Sequence, residues 1–392
     1  MKDFKVFSHS SIGWKHEKHD GFNEDACGYL DEKDFEIIAV ADGHGSRESF
    51  RSQIGSQLAI ESALEILQTF KKTVDEYSLL QNLYKYDQRE QLLRALIHDL
   101  IELWKAKVHD HIRKFPISKE EYEQLSSLSM VYQKGKYLTN IYGSTLICAI
   151  LTKNYLLVIQ QGDGCCVVLN DQGELLHPVP KDEMCIRNMT TSLCDRDAEK
   201  RARYYYYDMR GHSLGGVFLA SDGIEKSFGN EIFLNAFYAE LCHELVKVKN
   251  GNEDVYMREL LPKISEKGSK DDVTLSAIYN KRMMSKFNKK MDLYVDLARK
   301  QFAMQDSLRA WNRNKRQKRF IDKEFIKTEQ GLADVEEKMN ELVEKKAAYY
   351  RKKEWLSGEF SKSIKANEEA AEKYRKCKDV FDTLNEKLNS KQ

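Results

Sequence analysis

Two textures of apolar residues meet near residue 280. Before it, short apolar runs at 35–41, 145–151, 155–160, 165–169, 217–220 and 273–279 alternate with turns rich in Gly and Asp. Runs of this length, with Val, Ile and aromatics prominent, are those of buried strands. Lys153-Asn154, between two of them, predicts a hairpin, and Asn170-Asp171-Gln172-Gly173 predicts another turn. Two helical stretches interrupt the strands: 52–73, with Ile54, Leu58, Ala59, Leu64 and Leu67, and 91–113, with Leu92, Leu96, Leu100, Leu103 and Val108. Residues 117–140 fit neither pattern, and a surface excursion accounts for them. The expected class is α+β, an antiparallel β-sandwich flanked by helices.

After Lys281 there is no proline and almost no glycine. Apolar residues follow a three-four rhythm or its sevenfold sum: Phe325, Leu332, Val335, Met339, Leu342, Tyr349, Leu356, Phe360, Ile364, Ala371 and Tyr374. This stripe on a long α-helical C-terminal arm needs covering. Either an antiparallel helical hairpin, turning near Gly331 or Gly358, or a coiled-coil dimer covers it. The expected domains are 1–280 and a basic helical arm, 281–392.

Composition sharpens that division. The 392 residues are 41% hydrophobic and 32% charged, with a net charge of +1. The charge is uneven: residues 281–392 hold 29 Lys and Arg against 19 Asp and Glu, leaving 34 against 43 for residues 1–280. The densest cationic run, 313–319, lies between Trp311 and Phe320. A nucleic acid, an anionic surface or an acidic partner protein are candidates for it, but a solvated helix face is the favoured reading. The amino-terminal residues carry no apolar export segment, and no run approaches the roughly 20 apolar residues of a membrane span, so a cytoplasmic protein is expected. The 8 cysteines include no CxxC pair, which points to reduced thiols rather than disulfides or zinc.

Candidate chemistry lies in carboxylates at strand borders, most of them beside glycine: Glu24-Asp25, Asp42-Gly43, Asp163-Gly164, Asp222-Gly223 and Asp271-Asp272. One Asp-Gly is ordinary turn chemistry. Five acidic segments, carried by several strands to one sheet edge, form a set of hard oxygen donors that favours Mg²⁺ or Mn²⁺ over zinc.

At these residues the chain resembles the metal-dependent protein phosphatases, the type 2C family. Asn-Glu-Asp-Ala at 23–26, Val-Ala-Asp-Gly-His-Gly at 40–45, Gly-Ser-Thr-Leu at 143–146, Gly-Asp-Gly at 162–164, Ala-Ser-Asp-Gly-Ile at 220–224 and Asp-Asp-Val-Thr-Leu at 271–275 appear in the family's order. The resemblance covers about residues 8–279, and the stretch from Ser11 to His16 is similar to a bacterial branch. It implies hydrolysis of phosphoserine or phosphothreonine on proteins with two Mn²⁺ or Mg²⁺ ions. By it, Asp42 bridges the ions, the Gly43 carbonyl completes one coordination sphere, Asp222 and Asp271 hold the other ion, Glu24 and Asp25 act through water, and His44 is the general acid.

Three departures from the family pattern stand out. Where many members carry a phosphate-clamping arginine this chain has Asp20, and His16 is the candidate substitute. Asp163 is a possible third metal ligand, but Lys226 occupies the position of its usual carboxylate partner. Asp272 replaces an asparagine. These changes support an alternative from another class: a weak or silent phosphatase fold that binds a phosphorylated partner and uses the arm for interaction, including self-association. A third reading makes the arm a scaffold or tether regulated by the phosphatase domain. Tyr204–Tyr207 is read either as a flap beside the site or as an edge strand.

Overall fold

The computed structural model describes residues 3–18, 21–124, 137–185, 190–336 and 342–389. The chain divides into two compact units, Met1–Met291 and Asp292–Gln392.

The first unit holds two five-stranded sheets in which every pairing is antiparallel. One has the order β1 (Lys5–Ser11), β10 (Val273–Tyr279), β9 (Gly216–Ala220), β6 (Cys165–Leu169), β7 (Leu175–Leu176). The other runs β2 (Ala26–Asp31), β3 (Phe35–Ala41), β4 (Leu146–Thr152), β5 (Tyr155–Gln161), β8 (Arg203–Asp208). The predicted hairpin joins β4 to β5, and the Asn170–Gly173 turn joins β6 to β7 with Gly173 at φ 77°.

Strand alternation separates two cores. On β3, Ile38 and Val40 face the interior of the sandwich and pack with Ile147, Ala149, Val158, Val168, Val217, Leu219 and Ile278. Their neighbours Ile37, Ala39 and Ala41 point outward, under helices α2 (Ser52–Glu76) and α3 (Tyr86–Lys114). These helices bring Ala59, Ala63 and Leu67 from one side and Leu93, Leu100 and Trp104 from the other, all essentially solvent-free. Each large side chain so buried contributes about 1.5–3 kcal/mol. On the opposite sheet the Phe218 and Tyr238 rings lie 5.4 Å apart, and the Tyr279 hydroxyl donates to Glu253 at 2.7 Å, so α5 (Glu231–Lys247) and α6 (Glu253–Lys267) cover its outer face. α1 (Trp14–Glu17) and α4 (Asp222–Phe228) are the short helices nearest the acidic segments.

The expected sandwich with flanking helices is therefore present, and the predicted strands and helices differ from the observed ones mainly at their ends. β1 and β2 were not expected. Ser8 and Ser10 interrupt the apolar pattern of β1, and their hydroxyls meet Ser276 and Thr274 of β10 at 2.8 and 2.7 Å. Tyr204–Tyr207 forms the edge strand β8 rather than a flap. Tyr204 and Tyr206 pack on the helix-covered core, while Tyr205 and Tyr207 pack on the inner one. In the excursion, residues 125–136 lie outside the described residues; Lys119–Gln124 is helical and Leu138–Tyr142 is a 3₁₀ turn.

The arm consists of two long helices, α7 (Asn288–Glu336) and α8 (Leu342–Asn389). Ser363 Oγ donates to the Asn314 carbonyl, Lys318 lies over the Phe360 ring, and Lys353 lies over the Phe325 ring. These pairings run in opposite directions along the two helices, so the arm is an antiparallel hairpin, with Ile321 and Leu356 buried in its seam. Residues 337–341, between these two helices in the sequence, lie outside the described residues. Gly331 and Gly358 both lie within helices, and the first helix ends five residues after Gly331.

Candidate active site

The antiparallel order brings one end of several strands to one edge of the sandwich. β2 begins opposite the end of β3 (Ala26 against Ala41), and β9 ends beside the starts of β6 and β10 (Ala220 against Cys165 and Leu275). Asp25, Asp42, Asp163, Asp222, Asp271 and Asp272 occupy the residues just beyond those ends. Sequence separations of up to about 250 residues thus collapse to side-chain distances.

Hydrogen bonds lock the backbone that carries these groups. Asp42 N–H donates to Thr145 Oγ1 at 3.0 Å, and the Asp42 carbonyl accepts from Thr145 N–H at 2.8 Å. Gly43 N–H donates to the Glu24 carbonyl at 3.1 Å. A Cβ at Gly43 would meet the Glu24 and Ser52 carbonyl oxygens at 2.8 and 2.9 Å, so only glycine allows this approach. His44 N–H donates to the Gly143 carbonyl at 3.1 Å.

The electrostatics are those of crowded carboxylates partly withdrawn from water. Burial raises the pKa of Asp42 well above its ordinary value, and the charges of Asp25, Asp222, Asp163 and Asp271 raise it further. Asp25 is pushed up to about 8, chiefly by burial, although it accepts a 2.6 Å hydrogen bond from Thr274 Oγ1. Asp222 rises to about 6 through burial and Asp163, against the opposing pull of Lys226. Burial also raises Glu24, which accepts from Ser52 Oγ at 3.1 Å. Asp163 accepts from Thr190 Oγ1 at 2.9 Å. His44 moves down through burial, with Asp195 and Asp163 working against the shift.

Not every candidate joins the same cluster. His16 Nδ1 lies 3.0 Å from Asp272 Oδ1, and donor atoms of His16, Glu24 and Asp272 fall within 4.8 Å of one another. Asp272, read from the sequence only as a candidate carboxylate in an asparagine's place, is a clamp: Oδ1 also accepts from Gly13 N–H at 2.6 Å, and Oδ2 accepts from Glu24 N–H at 2.7 Å. Its donors are about 250 residues away in the chain, so no local signal could have revealed it. Asp195 and Thr274 were missed for the same reason. Asp20 lies outside the described residues. All eight cysteines are free.

An α+β sandwich with a set of buried and half-buried oxygen donors at one edge defines a class able to hold hard divalent cations. A family model for protein phosphatase 2C matches residues 12–263, and the chain belongs to that family. Among solved structures it is similar to a bacterial serine phosphatase, with 17% identity over 71% of this chain and 98% of that one and a TM-score of 0.42. It is also similar to the serine/threonine phosphatase Stp1 from Staphylococcus aureus (16% identity, 70% and 94% covered, TM-score 0.41). A third is the catalytic domain of the serine threonine protein phosphatase PstP in complex with two manganese ions (16% identity, 70% and 97% covered, TM-score 0.41). No curated protein matches the chain. Among the described residues no helix is long and apolar enough to cross a membrane.

Proposed function

We propose that this chain hydrolyses phosphoserine and phosphothreonine on proteins, using two Mn²⁺ or Mg²⁺ ions. The observation that carries the reading is half-buried Asp42, whose pKa is raised by its partial withdrawal from water and then by the charges of four neighbouring carboxylates. Such a cluster is strained by its own charge unless cations join it, and its all-oxygen donors suit Mg²⁺ or Mn²⁺. Asp42, the Gly43 carbonyl, Asp222 and Asp271 are the proposed ligands, with Glu24 and Asp25 acting through water. When bound, the two ions supply a nucleophilic water and neutralise charge on the phosphoryl oxygens.

The chain's own groups do the rest. His44 donates a proton to the departing serine or threonine oxygen. Its burial favours the neutral ring, and the nearby Asp195 and Asp163 charges help retain the proton. His16 is held through Nδ1 by Asp272, which leaves its other ring nitrogen to donate to the substrate phosphate. In a phosphothreonine-peptide assay, Mn²⁺-dependent phosphate release is expected to stop on chelation and to fall at least about a hundredfold in Asp222→Asn. Turnover that survives both treatments rules the reading out.

A second reading has its own support. Lys226 pairs with Asp222, a proposed metal ligand, as expected of a site that has given up chemistry for binding. A folded protein that binds Mn²⁺ and a phosphopeptide but releases no phosphate would favour that silent module.

A further inference from the structure

Lys226 is a cation placed among the groups proposed to hold cations. It stands one turn along α4 from Asp222, and its ammonium forms an ion pair with Asp222 Oδ2. The same Nζ lies 3.9 Å from Asp271 Oδ2. The two carboxylates come from different elements, Asp222 from the first residue of α4 and Asp271 from the loop before β10. Asp followed four residues later by Lys is the favourable order for an ion pair on a helix. Asp222 is nearly buried, at 11% side-chain exposure, whereas Lys226 remains 49% exposed. The ammonium therefore reaches the carboxylates from the solvent side on a flexible four-carbon stem.

We propose that Lys226 is a tethered competitor for the metal site. Resting on the metal-binding role assigned above, this inference adds a regulatory element to it. Without divalent cation the ammonium holds Asp222 and Asp271 together and offsets part of their repulsion. For an ion to use the oxygens of both carboxylates, the ammonium must withdraw into solvent, which its exposed stem permits. Lys226 thus sets the divalent-cation concentration at which the site fills.

The test is calorimetric titration of Mn²⁺ alone into the full-length wild type, Lys226→Gln, Lys226→Arg and the surface control Lys263→Gln, each checked for folding by thermal melting. Removing the charge in Lys226→Gln is expected to tighten Mn²⁺ binding by about threefold to tenfold, the weight of a partly screened ion pair. Lys226→Arg, which keeps the charge, and Lys263→Gln are expected to stay near wild type. Equal affinities in wild type and Lys226→Gln, or weaker binding in the variant, would overturn the proposal while leaving the metal site intact. Equal tightening by Lys263→Gln would also overturn it, because a general charge effect would then be responsible. If neither wild type nor Lys226→Gln binds Mn²⁺, the metal-site reading itself fails, and this proposal with it.

Discussion

Asp272 shows how much one side chain organises this site. Its two oxygens accept from Gly13 N–H, Glu24 N–H and the His16 ring, tying the loop before β2 to the start of β10. A buried carboxylate with several donors is worth more than a neutral bond, and removing it leaves two backbone N–H groups without their acceptor. Asp272→Ala is expected to cost about 3 kcal/mol in urea unfolding of the metal-free protein. Asp272→Asn retains one acceptor oxygen and is expected to cost about half as much. Equal stability of all three forms in that experiment would show that the loop is held by other contacts.

At the scale of elements, the positioning of Asp42 and Glu24 depends on how closely α2 approaches the strands. Gly55, in the first turn of α2, faces the backbone of Tyr142, and a Cβ there would lie 1.9 Å from the Tyr142 carbonyl oxygen. The Gly55 carbonyl also accepts from Trp104 Nε1 at 3.0 Å, joining α2 to α3. Because the obstacle is backbone, it cannot rotate away. Gly55→Ala is expected to destabilise the first unit by about 2–3 kcal/mol despite alanine's better helix propensity, a balance that thermal melting reads directly. The tyrosines of β8 follow the same logic of closure. Each pair covers the border of one core at a sheet edge, Tyr206 stacks on Tyr155, and Arg89 lies over the Tyr206 ring at 4.7 Å.

For the molecule as a whole, stability depends on the carboxylates inside the fold, and one of these lies away from the acidic edge. Glu36 is buried on β3 and shares strand parity with Ile38 and Val40, which face the sandwich interior. Burial pushes its pKa up to about 7. A raised acid favours the folded state fully below its unfolded value of about 4.3 and loses that contribution as pH rises through the folded value. Between about pH 5 and pH 8 the melting temperature is therefore expected to fall for this reason. Glu36→Gln, permanently neutral, is expected to flatten that part of the profile. An unchanged slope in the variant would assign the pH dependence elsewhere. The helical hairpin forms a separate unit with its own seam at Ile321 and Leu356, so its packing does not rely on Glu36.

Local pattern alone determined the strands at 35–41, 165–169 and 273–279 to the residue, the β4–β5 hairpin, the two long helices over the second sheet and the helical nature of the arm. These features depend on neighbours a few residues apart, where periodicity and turn chemistry act. The acidic segments were equally legible as candidates. Only the tertiary structure decided which of them meet: Asp42 lies among Asp25, Asp163, Asp222 and Asp271, while Glu24 and His16 gather at Asp272. It also decided that β1 is a strand, through hydroxyls paired with a strand at the far end of the domain, and that the arm's two helices pair with each other as an antiparallel hairpin. Strand pairing and helix docking are contacts across long sequence separations, and their energy comes from surfaces that meet only after folding. A one-dimensional pattern can mark such surfaces as needing partners but carries no record of which partner they find.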